Sequence, residues 1–441
     1  MIEGTEDVPR DVVAKNGEAN GSIVRSIRSH GANGTAESHA AAADAVRKDV
    51  QRVVAEALEE AHARGLPLTS GLSNGGGGNG HAHNGLNGHG AAALLETPIG
   101  ELLTSLVDPP LPLVSLSNSL APLAPRMEAV EAEIERLISS PVKLITDIAS
   151  HTLNAGGKRL RPALTLLSAQ LCGDLGEVPP ERVVTCAAAI ELTHTTTLLH
   201  DDVIDDADLR RGRPTANLLW GNESSVLVGD YLFAQVFVTA ARRGYSELMF
   251  PLAHATAQMC AGELLETQTR RNLDMPEEQY REIIALKTAA LTECACRLGA
   301  NAMNASDEEA ERLARYGYDL GMAFQIVDDV LDVMANAGRV GKPVGNDIRE
   351  GDITLPMLRA MQVCTVREQN ELRSIVNAEI IADADIDRAL AIIRASDAVE
   401  YSLSAAAHYV SSAKERLADF PLLPAREMLE VIADYVLTRD R

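Results

Sequence analysis

The chain has 441 residues, of which 46% are hydrophobic and 3% aromatic, and its 40 basic and 63 acidic side chains give a net charge of −23. This acidic balance argues against a nucleic-acid-binding protein, which needs a basic face for the phosphate backbone. Few aromatic residues and many Ala and Leu favour helices over sheets. The N-terminus lacks an apolar run, so no signal peptide is predicted.

The first 115 residues form a low-complexity extension in the sequence. Residues 1–37 are polar and without periodicity, which predicts disorder. Residues 38–64 carry an apolar stripe at helical spacing, which predicts one helix. The Gly-, Asn- and His-rich tract at 70–90 has the composition of a flexible linker, and the prolines within 97–125 predict an extended approach to the core.

The remainder, residues 116–441, shows helical patterning almost throughout, broken by Gly- and Pro-containing segments. No part of it shows sustained two-residue alternation with turn signals. The sequence therefore predicts an all-α fold, with one large domain of ten or more helices. The six cysteines have no disulfide-framework spacing, which predicts reduced thiols and a cytoplasmic location.

One acidic motif occurs twice in this domain. Asp201 and Asp205 follow the apolar run AIELTHTTTLLH, and Asp328 and Asp332 follow GMAFQIV with the same spacing. Residues four apart share a helix face, where like charges repel and cost stability. Mg²⁺ supplies a reason, since it binds carboxylate and water oxygens in a shell that substrate phosphates complete. A single copy fits a solvated helix face, whereas two copies indicate a diphosphate gripped through metal ions.

Clustered cations accompany the aspartates. The segment GGKRLRP at 156–162 opens a helical run, and RRGRP at 210–214 follows the first aspartate motif. Lys287 lies on a later helix, and Lys342 lies in a loop after the second motif. Lysine binds phosphate as a point charge and arginine as a planar fork. Each segment alone fits a surface position, but together they indicate a pocket for anionic substrates.

The ordered motifs GGKRLRP, HTTTLLHDDVIDD, RRGRPT, GD, KT, FQIVDDVLD and GKPVGNDIREGDITLP resemble those of the isoprenyl diphosphate synthases that make all-trans chains. The resemblance covers about residues 120–441. It implies an all-helical fold with a deep central cavity, a homodimer, and head-to-tail condensation of isopentenyl diphosphate with an allylic diphosphate. It also implies three Mg²⁺ ions per active site and a product that is handed to a membrane.

Matched by motif position, the resemblance implies three sets of binding residues: Lys158, Arg161, His194 and Arg211 for isopentenyl diphosphate; Arg210, Lys287, Thr288, Gln325 and Lys342 for the allylic diphosphate; and Asp201, Asp202, Asp205, Asp328, Asp329 and Asp332 for magnesium. The implied catalytic set is Asp201, Asp205, Lys287, Thr288, Gln325 and Asp328. One departure is Asp352, where the family commonly has lysine.

Other protein classes share parts of this pattern. Terpene cyclases and squalene or phytoene synthases share the helical fold, but cyclases usually pair one aspartate motif with an NSE- or DTE-type motif, whereas the second motif here is DDVLD. Non-catalytic regulatory subunits typically lose aspartates that this chain keeps. The segment DDVIDDADLRRG also resembles the large subunit of heterodimeric heptaprenyl diphosphate synthases, so a small partner subunit is an open alternative, as is a geranylgeranyl diphosphate product.

Product length is predicted from the helix that precedes Asp201. Thr197 and Thr196 lie four and five residues before it, about 6–7.5 Å along the helix axis. Short-chain members of the family often carry Phe or Tyr at these positions as a floor. Threonine is small, so the sequence predicts an open cavity and a product of about C30–C50. A bulky residue on another helix, lower in the cavity, is the competing interpretation.

Overall fold

The computed structural model describes residues 116–176, 179–334 and 344–439, and all of them belong to one compact unit. The extension over 1–115, with its predicted helix at 38–64, lies outside the described residues.

Helices make up most of the described residues, which confirms the all-α prediction. In chain order they are α1 (Leu116–Leu120), α2 (Ala124–Ile138), α3 (Lys143–Leu153), α4 (Leu160–Cys172), α5 (Glu181–Ile204), α6 (Ala216–Trp220), α7 (Asn222–Arg242), α8 (Ser246–Thr269), α9 (Glu277–Ile284), α10 (Ala290–Ala302), α11 (Asp307–Met334), α12 (Asn346–Glu350), α13 (Leu355–Val363), α14 (Val366–Val376), α15 (Asp383–Ala395), α16 (Ala398–Arg416) and α17 (Pro424–Thr438). A 3₁₀ turn, Ala121–Leu123, precedes α2, and a π-helical turn, Ala285–Ala289, joins α9 to α10.

The extended approach that the prolines predict is wrong for residues 116–125. These residues are helical, in α1, the 3₁₀ turn and the start of α2. Pro122 and Pro125 each occupy a first-turn position. The missing N–H of proline is harmless there, because the first amides of a helix have no partner within the helix.

A short β-ribbon interrupts the helical domain after the first aspartate motif. Strands β1 (Leu209–Arg210) and β2 (Arg213–Pro214) pair antiparallel, with Arg210 opposite Arg213. The two turn residues, Arg211 and Gly212, have φ of 53° and 74°. Positive φ at both central positions defines a type I′ hairpin turn, which suits glycine and strains arginine. The RRGRP segment therefore folds into a rigid support for its arginines.

The long helix α11 packs against α10 and α16, and α5 packs against α4 and α7. Gly317 and Gly321, one turn apart on α11, lie so close to Thr292 of α10 that a β-carbon at either position would collide with it. Close approach of backbones requires glycine at such points. This contact brings the second aspartate motif, on α11, beside the π-turn that carries Lys287.

Within the described residues, α7 alone is long and apolar enough to cross a membrane, a weak sign because core helices pass the same test. All six cysteines are free, as their spacing predicts.

Candidate active site

The first aspartate motif lies at the C-terminal end of α5. Asp201 is in its last turn, and the Asp205 amide donates to the Asp201 carbonyl at 2.8 Å, so the two continue one helix face. Burial, with the nearby Glu263 carboxylate, raises the pKa of Asp201 to about 7. Asp202 is buried and accepts the Nε–H of Arg210 at 2.7 Å. Asp202 thus ties the β-ribbon to the motif.

The second motif lies near the C-terminal end of α11. Asp328 is 55% exposed, and its Oδ1 lies 3.0 Å from Nη2 of the buried Arg439. The two carboxylate oxygens of Asp332 accept the backbone N–H groups of Asn346 and Asp347, each at 3.1 Å. Asp332 therefore fastens the start of α12 to α11.

Asp329 is the buried member of the second motif. It accepts the Tyr280 hydroxyl at 2.6 Å and the Gln325 amide at 2.9 Å, and burial raises its pKa to about 8. The Gln325 carbonyl in turn accepts the Thr288 hydroxyl at 2.7 Å. This hydrogen-bonded chain fixes the predicted residues Thr288 and Gln325 relative to each other.

Lys287 links the π-turn to α8. Its ammonium lies 3.0 Å from Glu263 Oε2 and also bonds Glu266. These two carboxylates raise the pKa of Lys287 despite its burial, while burial raises that of Glu266 to about 7. Because its pKa is raised, Lys287 stays charged beside the first aspartate motif. The π-turn that carries it inserts an extra residue into the helix, a feature that is frequent at functional sites.

A second, basic cluster surrounds His194. Burial, followed by the charges of Arg161, Arg211, Arg210 and Arg159, lowers the pKa of this imidazole well below its ordinary value. Burial and the Arg211 charge also lower the pKa of Arg161, whose Nε is buried without a hydrogen-bond partner in the described residues. Buried arginines close to one another repel and lose their hydration. Such a cluster therefore indicates that an anion binds between them.

Local backbone geometry holds this cluster. Arg159, the fourth residue of GGKRLRP, has φ of 47° and donates to Glu131 at 2.7 Å and Glu191 at 2.9 Å. A β-carbon on Gly157 would lie 3.1 Å from Arg211 Nη1, so the loop before α4 lies directly against the hairpin turn. The motifs GGKRLRP and RRGRP thus lie against each other and form one basic surface.

The two remaining predicted cations lie differently. The Lys158 ammonium donates to the Tyr435 hydroxyl on α17 and lies 4.8 Å from the centroid of that ring. Lys342 lies outside the described residues.

The two predicted chain-length residues differ in their surroundings. Thr196 is buried, and its hydroxyl donates to the Gly229 carbonyl of α7 at 3.3 Å. Thr197 is half-buried, and its hydroxyl donates within α5 to the His194 carbonyl at 2.9 Å. Further from Asp201 along α5 is a small, mostly apolar cavity, which is lined by Thr185, Cys186, Ala189, Val236, Phe237, Ala240, Leu248, Met249, Leu252 and Leu298.

Four charged residues near the aspartates were not identified from the sequence: Glu263, Glu266, Arg270 and Arg439. The first three recur at spacings of three and four on α8 and its C-cap, so they share one helix face. That spacing in the run GELLETQTR is a usable signal. Arg439 carries no such pattern, because its contact with Asp328 depends on how α17 packs.

The carboxylates fit magnesium by donor type, since Asp201, Asp205 and Asp328 offer the oxygen ligands that this hard cation prefers. The raised pKa of Asp201 shows that its charge lacks sufficient compensation in the protein alone. Among the described residues, no group of three acidic, His or Cys side chains converges closely enough to hold a metal ion.

The fold and this pair of acidic and basic sites define a prenyl diphosphate synthase, and the chain belongs to the polyprenyl synthetase family, whose model matches residues 142–393. It is 39% identical to nonaprenyl diphosphate synthase of Mycobacterium tuberculosis over 72% of this chain and 95% of that protein. It is 38% identical to a short chain isoprenyl diphosphate synthase of Methanothermobacter thermautotrophicus, over 66% and 89%. The crystal structure of Caulobacter crescentus polyprenyl synthase, complexed with calcium and isoprenyl diphosphate, superposes with a TM-score of 0.71 at 37% identity, over 74% of this chain and 98% of that one.

Proposed function

We propose that this prenyltransferase joins isopentenyl diphosphate head-to-tail to an allylic diphosphate and makes an all-trans polyprenyl diphosphate of about C30–C50. The observation that carries the proposal is the adjacency of two sites of opposite charge. The salt bridge between Arg210 and Asp202 joins the arginine cluster to the first aspartate motif. The arginine cluster suits a bare diphosphate, and the aspartate motifs suit a diphosphate that arrives with divalent cations.

In this proposal Asp201, Asp205 and Asp328 would hold magnesium, which when bound would supply positive charge to the departing diphosphate in the transition state. Asp202, Asp329 and Asp332 hold these carboxylates in place, because each is engaged by neighbouring donors. Three metal ions per site, as the family resemblance implies, remain part of the proposal.

The basic cluster binds isopentenyl diphosphate in this proposal. Arg161 and Arg211 supply charge-assisted hydrogen bonds to its oxygens, and Lys158 adds a further cation. His194 is neutral because burial and the arginines lower its pKa, so it offers one N–H without adding repulsion. Arg210 is shared between this cluster and the allylic diphosphate, to which Lys342 also contributes.

The reaction breaks the allylic C–O bond and leaves the electron pair on the diphosphate. Lys287 offsets the charge that develops there, and the oxygens of Thr288 and Gln325 lie in a fixed pair to stabilise the allylic cation. The isopentenyl double bond then forms the new C–C bond, and a proton is lost to the released diphosphate. No side-chain base is required for this transfer.

The decisive test is an assay with labelled isopentenyl diphosphate, farnesyl diphosphate and magnesium, with the products sized by chromatography. We expect chelation by EDTA to abolish turnover and added Mg²⁺ to restore it, since the carboxylates cannot bind diphosphate without cations. Full turnover in EDTA would contradict the metal role. Absence of any elongated product from the folded protein with magnesium would contradict the function.

We further propose that the enzyme is a homodimer that works in the cytoplasm and passes its product to a membrane. Helices α7 and α8, which contact each other, expose several large apolar side chains, among them Leu227 (66% exposed), Phe250 (77%) and Leu264 (65%). Large exposed apolar side chains on neighbouring helices suit a protein–protein interface. A second copy of this chain is the proposed partner, and a small partner subunit is the alternative.

Replacing Phe250 by Asp is expected to shift the protein from dimer to monomer at micromolar concentration, because an unpaired charge in an apolar interface is costly. Light scattering coupled to size exclusion measures the change. The matched control is Ile380→Asp, which alters an equally exposed apolar residue on another part of the surface (86% exposed). A wild-type protein that is monomeric, and active only with an added partner, would favour the alternative.

A further inference from the structure

The side chain of Arg270 lies between the first aspartate motif and Asp352. Its Nε–H donates to Asp352 Oδ1 at 2.9 Å, and its Nη2 lies 3.4 Å from Asp205 Oδ1. Arg270 is 27% exposed, Asp352 14% and Asp205 25%, so the three groups form a half-buried set at the edge of the site. Arg270 is the C-cap residue of α8, on the helix face that also carries Glu263 and Glu266.

Negative charge exceeds positive charge in this part of the site. Lys287 is occupied by the two glutamates of α8. Arg270 is then a second cation, besides Arg210, that forms an ion pair with a carboxylate of the first aspartate motif. The lysine that is common in the family after the second motif is Asp352 here. This carboxylate takes the Nε edge of the guanidinium, which leaves the Nη edge towards Asp205.

A purely mechanical role for Arg270 does not explain this geometry. The link between the end of α8 and the segment after α12 is made already by the next residue, whose backbone N–H donates to the Gly351 carbonyl at 2.7 Å. The Arg271 side chain adds a hydrogen bond to the Ala378 carbonyl at 2.9 Å. The ion pairs of Arg270 therefore serve the site rather than the connection.

We propose that Arg270 is a further diphosphate-binding residue, oriented by Asp352, that contacts the magnesium-bound allylic diphosphate beside Asp205. The inference rests on the proposed function and extends it. A guanidinium can serve a carboxylate and a phosphate together, because its planar fork presents five N–H donors on separate edges. In this role Arg270 replaces the cation that position 352 lacks.

The test compares binding of inorganic pyrophosphate in excess MgCl₂, by calorimetry, with steady-state kinetics. We expect Arg270→Gln to weaken pyrophosphate binding and to raise the KM for farnesyl diphosphate, each by about 10- to 100-fold, while the KM for isopentenyl diphosphate stays within about threefold. Arg270→Lys keeps the charge without the fork and is expected to lie between wild type and Arg270→Gln.

The double variant Arg270→Gln with Asp352→Lys moves the cation to position 352 and is expected to recover most of the lost affinity. Arg373→Gln, which removes an exposed arginine paired with Asp274, is the control and should bind pyrophosphate as wild type does. Wild-type affinity in Arg270→Gln, or equal loss in Arg270→Lys and the double variant, would overturn the role of Arg270. Failure of wild-type protein to bind pyrophosphate or to elongate farnesyl diphosphate would instead overturn the proposed function.

Discussion

Alanine at Asp201 is expected to lower turnover by about 10²- to 10³-fold, the loss that follows removal of one group that stabilises developing charge. The fold should survive, because within the described residues Asp201 makes no side-chain ion pair that holds helices together, whereas Asp202 does. Asp205→Ala is expected to behave similarly. The measurement is kcat with saturating farnesyl diphosphate and magnesium, alongside circular dichroism. Asp208→Ala, an exposed aspartate beyond the motif, is the matched control.

Asparagine at the same position should stabilise the protein in the absence of metal, in a pH-dependent way. The pKa of Asp201 is raised from 3.8 to about 7 on folding, so the folded state binds the extra proton and loses stability as pH rises between these values. Asp201→Asn removes that penalty. Its melting temperature without metal should therefore match wild type near pH 4 and exceed it at pH 8. Equal melting temperatures at both pH values, with wild-type turnover, would reduce Asp201 to a solvated helix face.

The aspartates could be found from the sequence because their chemistry conflicts with their local structure. Like charges one turn apart on an apolar helix have no folding rationale, so the pattern itself indicates a ligand. The clustered cations of GGKRLRP and RRGRP indicate a ligand for the same reason, and the two segments lie against each other in the fold. Helix type and the main loop positions followed from periodicity and from glycine and proline, which act locally.

Other features depend on contacts between distant segments and could not be read from spacing. Arg439 meets Asp328 across 111 positions of sequence, and Arg270 meets Asp352 across 82. The type I′ turn at Arg211 also defeats local reasoning, since arginine is a poor residue for positive φ and is held there by its surroundings. Likewise, the helix over residues 116–125 contradicts the expected extended approach because first-turn prolines favour a helix start.

The length of the product depends on the shape of the cavity beside α5. The two relatives of nearly equal identity are named for a nonaprenyl product and for short chains, so overall similarity does not set length. The depth of the cavity must do so. Ala189 and Thr185 line the small cavity beside α5. They lie 12 and 16 residues before Asp201, which places them about 18 and 24 Å from it along the helix axis.

Charged residues surround Thr185, at the end of the small cavity that is farthest from Asp201. Arg243 donates to Thr185 Oγ1 and to Glu133 Oε1 at 2.8 Å, and its Nε lies 3.1 Å from Glu181. An apolar chain cannot displace such a network without leaving buried charges unpaired. The apolar lining at Ala189 and Thr185 therefore ends at a charged network, which sets a lower limit for any product chain that runs along α5.

Two substitutions on α5 should shorten the product in a graded way. Thr197→Phe places a ring about 6 Å below Asp201 and is expected to shift the product to about C15–C20. Ala189→Phe fills the deeper cavity and should give products between those of Thr197→Phe and wild type. Thr196 is unsuitable for this test, because it is buried against the Gly229 carbonyl and a ring there would force α5 and α7 apart. Ala384→Phe, on the exposed face of α15, is the bulk-matched control. Chromatographic sizing of the products decides the matter: an unchanged distribution in both α5 variants would show that product length is set elsewhere.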